Sequence, residues 1–202
     1  MMLIGLTGPT GAGKGTAAAI FRKYGIPSID ADKVYHELLL NPESPCTQAL
    51  ASAFGKEILC KNGCVDRKKL AGMVFGHPDT PNRLHKLNTL THTYIMAKVK
   101  EMTEKYRKEG ARAVLLDAPQ LFEAGADREC DRLIAVLSEK EKRLSRILAR
   151  DGLSAEAAEK RIFAQQDDSF FRARCPVILE NNGSVAELEE KIKAFLLENG
   201  LL

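Results

Sequence analysis

Three glycines and a lysine between residues 8 and 14 constrain this chain more than any other feature in it. Leu3-Ile4-Gly5-Leu6-Thr7 reads as a short apolar strand. The chain then turns through Gly8-Pro9-Thr10-Gly11-Ala12-Gly13 to Lys14, and an alanine-rich segment from Thr16 to Tyr24 reads as a helix closed by Gly25. Gly8 to Lys14 has the G-x-x-x-x-G-K spacing of a phosphate-binding loop, placed where such a loop belongs, after a strand and before a helix. The physical demand is that successive backbone N–H groups curl around phosphate oxygens. That needs glycine where φ is positive or where a side chain would block the approach. The helix then aims its N-terminal partial charge at the same anion, and Lys14 adds a mobile point charge. Gly8, Gly11, Ala12, Gly13, Lys14, Gly15 and Thr16 are therefore expected to line a nucleotide. Gly15 stands where a strict version of the pattern has Ser or Thr to meet Mg²⁺, and Thr16 follows it.

The composition fits one globular domain carrying an insertion. The chain has 202 residues, 28% of them charged and 45% apolar, and a net charge of +3 that is too small to mark a nucleic-acid platform. No apolar run approaches the ~20 residues of a membrane span. The N-terminal strand has neither the basic flank nor the small-residue cleavage site of a secretion signal. Five cysteines, with no partner pair at zinc spacing, read as free thiols in a cytoplasmic protein. No obligatory protein partner is indicated.

A second short strand, Ile26 to Asp30, leads to Asp30-Ala31-Asp32. In a parallel sheet this strand ends on the ligand-bearing edge beside the first. If it continues through both aspartates, they point the same way; otherwise they cap a helix starting near Lys33. Residues 33–109 read as a mostly helical insertion that serves substrate recognition. His77, His85 and His92 lie in it, the first two read as ordinary surface or satisfied residues. Ala113-Val114-Leu115-Leu116-Asp117 is a buried strand ending in a carboxylate, the second signature of phosphate-loop enzymes. Leu133 to Leu137 is another strand, and Ser138 to Glu141 has the form of a capping box. The helix that follows bears Arg143, Arg146 and Arg150 on one stripe, for which a solvated face is the default. Asp151-Gly152 then breaks it, and a second helix from Ser154 bears Arg161 and Gln165 at i and i+4. Two short arginine-rich helices over residues 139–166 suit a lid closing on phosphates. A last strand, Pro176 to Leu179, precedes a helix capped by Ser184 and Glu187 that buries Leu188, Ile192 and Phe195.

Taken together, these segments resemble the dephospho-CoA kinases. The resemblance is carried by Gly8 to Thr16, Ile29-Asp30-Ala31-Asp32, Phe54-Gly55, and Gly63 with Asp66, Arg67 and Leu70. It continues through Asp117-Ala118-Pro119-Gln120-Leu121-Phe122-Glu123, Arg146 with Arg150, Arg161 with Gln165, and Asn181-Asn182-Gly183. It implies an α/β fold: a P-loop kinase core with a parallel sheet flanked by helices, a helical acceptor-binding insertion and an arginine-bearing lid. The implied reaction is ATP-dependent phosphorylation of the ribose 3′-hydroxyl of dephospho-CoA, with Mg²⁺. Asp32 matches the general base, Arg146 and Arg150 the lid arginines, and Asn181 a segment near adenine. With Lys14 these make the expected catalytic set, while Thr16, Asp32 and Asp117 are the candidates for holding Mg²⁺, directly or through water. This sequence departs from the family at Gly15, usually Ser, and at His92-Thr93-Tyr94-Ile95 and Cys175-Pro176. A competing expectation is another small-molecule kinase of adenylate-kinase type. A GTP-dependent switch is excluded, since neither Asp-x-x-Gly nor Asn-Lys-x-Asp occurs.

Overall fold

The computed structural model describes residues 1–76 and 78–202, so the expectation for His77 lies outside the described residues. Its centre is a parallel five-stranded sheet in the order β2-β3-β1-β4-β5. The strands are β1 (Met2–Thr7), β2 (Ser28–Asp30), β3 (Ala113–Asp117), β4 (Arg132–Leu137) and β5 (Val177–Glu180). β1 sits in the middle, in parallel register with β3 (Ile4 opposite Leu115) and with β4 (Leu6 opposite Ile134). β4 pairs in parallel with β5.

The middle strands β1, β3 and β4 are largely apolar because both sheet faces are covered. On β4, Ile134 and Val136 join one core with Ile4, Leu6 and Leu115. That core is closed by Phe21 of α1 (Lys14–Lys23) and by Leu188, Ile192 and Phe195 of α9 (Val185–Glu198). The alternate residues Ala135 and Leu137 face the other side, where they meet Phe171 of α8 (Asp168–Arg174) and Cys175. α9 starts with the expected capping box, Ser184 and Glu187 serving each other's backbone N–H. Between β4 and β5 also lie α6 (Lys140–Asp151) and α7 (Ala155–Phe163), which pack through Ile147, Ala158 and Ile162.

The chain divides into two compact units, one of residues 1–29 with 103–202, the other of residues 30–102. The second contains α2 (Ala31–Leu40), α3 (Pro45–Phe54), α4 (Arg67–Val74) and most of α5 (Thr80–Lys108). Its own core joins Leu39, Leu50, Phe54, Ile58, Leu70 and Val74. Cys60 and Cys64 close a tight turn, the Cys60 N–H donating to the Cys64 carbonyl at 2.8 Å.

One open local reading is decided and two expectations are corrected. β2 stops at Asp30, whose carboxylate accepts from the Lys33 N–H and caps α2, so Asp32 falls in a helical first turn and not on an extended strand. Ser138 caps nothing: the N-cap of α6 is Glu139, whose N–H donates to Oδ1 of Asn182 at 2.8 Å, while the Ser138 hydroxyl lies 2.9 Å from the Asn181 carbonyl. The cap therefore comes from a distant loop. Gln165 lies beyond the end of α7 rather than on it.

Candidate active site

The loop between β1 and α1 is built so that only glycine fits where the chain presses closest. Gly8 has φ of +137°, and a Cβ on it would lie 2.2 Å from the Val136 carbonyl oxygen. Gly13, the N-cap of α1, has φ of +102°, and a Cβ there would lie 2.2 Å from Nδ2 of Asn181. α1 has no side-chain cap and no acidic residue in its first turn. Its leading N–H groups thus lack the usual side-chain acceptor, and the helix dipole is left uncompensated at the place where an anion would be held. The chemistry of this cradle fits a phosphate. Nothing lies within 4 Å of a Cβ built on Gly15, so the absent hydroxyl there leaves open space, and Thr16 beside it is exposed.

Lys14 pairs with Asp117, Nζ to Oδ1 at 3.2 Å, with both side chains about one-sixth exposed. The lysine of the loop and the carboxylate ending β3 thus share one site. Asp117 and Thr16 offer the hard oxygen donors that Mg²⁺ prefers. An ion held by a carboxylate together with phosphate and water would suit such donors; among the described residues no group of three or more His, Cys, Asp or Glu could hold a metal by itself.

Three successive carbonyls of the loop are met by side-chain donors. The Thr10 carbonyl accepts from Nε of Arg143 at 3.0 Å, and the Gly11 carbonyl from Nη1 of Arg146 at 3.2 Å. The Ala12 carbonyl accepts from the same Nη1 at 3.3 Å and from Nδ2 of Asn181 at 2.7 Å. Nη2 of Arg146 reaches the Asn181 carbonyl at 3.0 Å, and its Nη1 also reaches the Ser138 hydroxyl at 3.2 Å. The expectation of a solvated arginine face is wrong for Arg143, which is buried against the loop; burial pushes its guanidinium pKa down, opposed by nearby Asp168. Arg150 instead forks onto Asp151, at 2.6 and 2.9 Å, and Arg161 joins it at 2.8 Å. The hydrogen bond from Arg150 holds the Asp151 carboxyl below the usual range.

The family model described as CoaE, dephospho-CoA kinase, matches residues 2–187. The chain belongs to the dephospho-CoA kinase family. It is similar to the dephospho-CoA kinase of Symbiobacterium thermophilum, 37% identical over 194 residues that cover 96% of this chain and 80% of that one. Among solved structures it resembles the protein TT1252 of Thermus thermophilus, with a TM-score of 0.79, 34% identity, and 98% and 97% of the two chains covered. It also resembles the dephospho-CoA kinase of Campylobacter jejuni, with a TM-score of 0.71, 30% identity, and 99% and 98% covered. The fold is that of a P-loop kinase, and the chain is a kinase of the last step of coenzyme A biosynthesis. The adenylate-kinase alternative is not favoured by these matches.

As a dephospho-CoA kinase, the chain brings together Gly8 to Thr16, Lys14, Asp117, Arg146 and Asn181 in the unit that holds the sheet. Asp32 belongs to the other unit, exposed in the first turn of α2. Arg143 and the Thr10 contact of Gln165 were not marked as site features in the sequence. Their signal is a hydrogen bond spanning more than a hundred residues, which no local pattern carries.

Proposed function

We propose that this chain transfers the γ-phosphoryl group of ATP to the ribose 3′-hydroxyl of dephospho-CoA, using Mg²⁺, and that it works in the cytoplasm. The observation that carries the reading is the uncapped, glycine-lined start of α1 with Lys14 and Asp117 in contact beside it. Phosphoryl transfer asks the protein chiefly for position and charge. The loop N–H groups and the start of α1 hold the phosphates, and Lys14 leaves Asp117 to follow charge onto the transferring group. Asp117 and Thr16 hold Mg²⁺, directly or through water; the ion, when bound, spreads the charge of the phosphate oxygens. Asp32 accepts the proton of the acceptor hydroxyl, a role supported by its match to the family pattern just after β2. Residues 33–109 bind the acceptor. Residues 139–166 act as a lid, with Arg146 and Arg150 bearing on the phosphates, and Asn181 lies near the adenine. No helix among the described residues is long and apolar enough to cross a membrane, which agrees with the proposed location.

The test is a coupled ADP-release assay with Mg-ATP and, in turn, dephospho-CoA, AMP, adenosine and pantothenate. Turnover with dephospho-CoA alone is expected. A preference for AMP or adenosine would overturn the acceptor assignment and leave the loop reading in place.

A further inference from the structure

Thr10 is gripped through both of its main-chain groups. Its N–H donates to Oε1 of Gln165 at 2.7 Å, and its carbonyl accepts from Nε of Arg143 at 3.0 Å. Arg143 is 5% exposed, and its Nη1 lies 3.7 Å from Oδ1 of Asp168. Its Nη2 is buried without a hydrogen-bond partner among the described residues. A buried guanidinium with an unmet donor is a poor way to fill space, since an apolar side chain of similar volume would pack there with no charge to desolvate. The backbone of Arg143 presses on the loop as well: a Cβ on Gly11 would come within 2.7 Å of its carbonyl oxygen. The first turn of α6 is thus moulded on the loop tip by main chain and side chain together.

The peptide unit shows what this grip does. In a planar trans peptide the C=O of one residue and the N–H of the next point in opposite directions, and no peptide bond described here is cis. Drawing the Thr10 carbonyl toward Arg143 therefore turns the Gly11 N–H the other way. Drawing the Thr10 N–H toward Gln165 turns the Pro9 carbonyl away in the same manner, and that carbonyl accepts from the Ala12 N–H at 3.2 Å across the turn. Two side chains from well beyond the loop thus fix which way its first peptide planes face.

We propose that Arg143 is a positioning residue for phosphoryl transfer: it holds the Thr10 carbonyl outward so that the Gly11 N–H is presented to the nucleotide, and Gln165 completes the grip. The inference rests on the reading of this loop as the ATP site. Arg146 and Asn181 act on the carbonyls that follow, and Arg143 governs the peptide ahead of them.

The test compares Arg143→Met, which keeps the stem and removes the donor, with Arg143→Gln, which keeps a neutral N–H donor. Arg143→Met is expected to raise KM for ATP about tenfold, the scale of one lost hydrogen bond from a charged donor, and to leave KM for dephospho-CoA unchanged. Arg143→Gln should return KM for ATP to within about threefold of the parent, since the donor and not the charge serves Thr10. Hydrogen exchange in the nucleotide-free chain supplies a readout that does not depend on ATP. Amides of residues 8–16 should exchange faster in Arg143→Met, recover in Arg143→Gln, and move in the same direction in Gln165→Met. Unchanged loop exchange in Arg143→Met overturns the proposal. So does equal impairment of the Met and Gln variants with faster exchange across the whole unit, which would mark a packing role. If the parent chain fails to use ATP with dephospho-CoA, the functional reading falls, and loop exchange still decides whether Arg143 positions Thr10.

Discussion

Arg146→Met removes a guanidinium that serves Gly11, Ala12, Ser138 and Asn181 at once, yet these four acceptors do not suffer alike. The Ala12 carbonyl keeps Nδ2 of Asn181 at 2.7 Å, and the Asn181 carbonyl keeps the Ser138 hydroxyl at 2.9 Å. The Gly11 carbonyl is the one left without a described donor. The loss is therefore close to one charge-assisted hydrogen bond, ~1.5–3 kcal/mol, and nearer the lower figure because half-buried Arg146 leaves room for water. At ~2–4 °C per kcal/mol for a chain of this length, Tm should fall by roughly 3–12 °C, toward the smaller figure, in differential scanning calorimetry. Turnover in the coupled assay should fall by ~10²-fold or more, the scale of a lost transition-state contact, because the peptide planes that face the phosphates lose their tether. Arg146→Lys is the discriminating control: one ammonium cannot span the Gly11 and Asn181 carbonyls as the planar fork does. It should recover less than half of the lost Tm. A Met variant that melts within about 1 °C of the parent, well short of that fall, and turns over normally would refute the reasoning.

The remaining predictions concern charge, the proton and the thiols. Lys14→Ala and Arg150→Ala should each lower kcat by ~10²-fold or more with the fold intact; normal turnover in purified Arg150→Ala would remove that residue from the site. Asp32→Asn should retain ATP binding but lose ~10²–10⁴-fold in kcat, the scale of general-base removal. Rescue by excess Mg²⁺ would reassign Asp32 to the metal. Burial pushes the Cys46, Cys130 and Cys175 thiols up to about 11, 12 and 11, while Cys60 is exposed. At pH 8 the buried thiols stay protonated, so iodoacetamide should label Cys60 first in the folded chain; peptide mapping that finds Cys130 labelled first would contradict the burial.

The parts of the chain that could be read from sequence are those whose cause is local. The strand at Ala113–Asp117, the glycine spacing of the loop and the Ser184–Glu187 box each depend on residues a few positions apart. Where reading failed, a distant group had taken over a local task. Ser138 has the look of a cap, but Asn182 supplies the acceptor from the far side of β5. Arg143 has the spacing of a solvent-facing stripe, and the loop tip, far earlier in the chain, draws it inward. The sequence leaves open whether the strand runs through Asp32 or Asp30 caps a helix, and the Lys33 N–H on the Asp30 carboxylate decides for the cap. Family resemblance supplied the acceptor and the reaction, which no periodicity could reveal. The tight glycine turn from β1 into α1 was legible from Gly8 to Thr16.

The central place of β1 in the sheet has a consequence for the order of assembly. β1 is made first, but its two neighbours, β3 and β4, follow more than a hundred residues later. At ~5–20 residues per second on the ribosome, this apolar strand waits roughly 5–20 s with both hydrogen-bonding edges unpaired. The helices of residues 30–102, which share a core of their own, emerge during that interval. The nascent chain therefore faces its greatest exposure to misassociation before residue 113 appears. Shielding of the first strand by a chaperone, or slow translation ahead of β3, would be felt most strongly there.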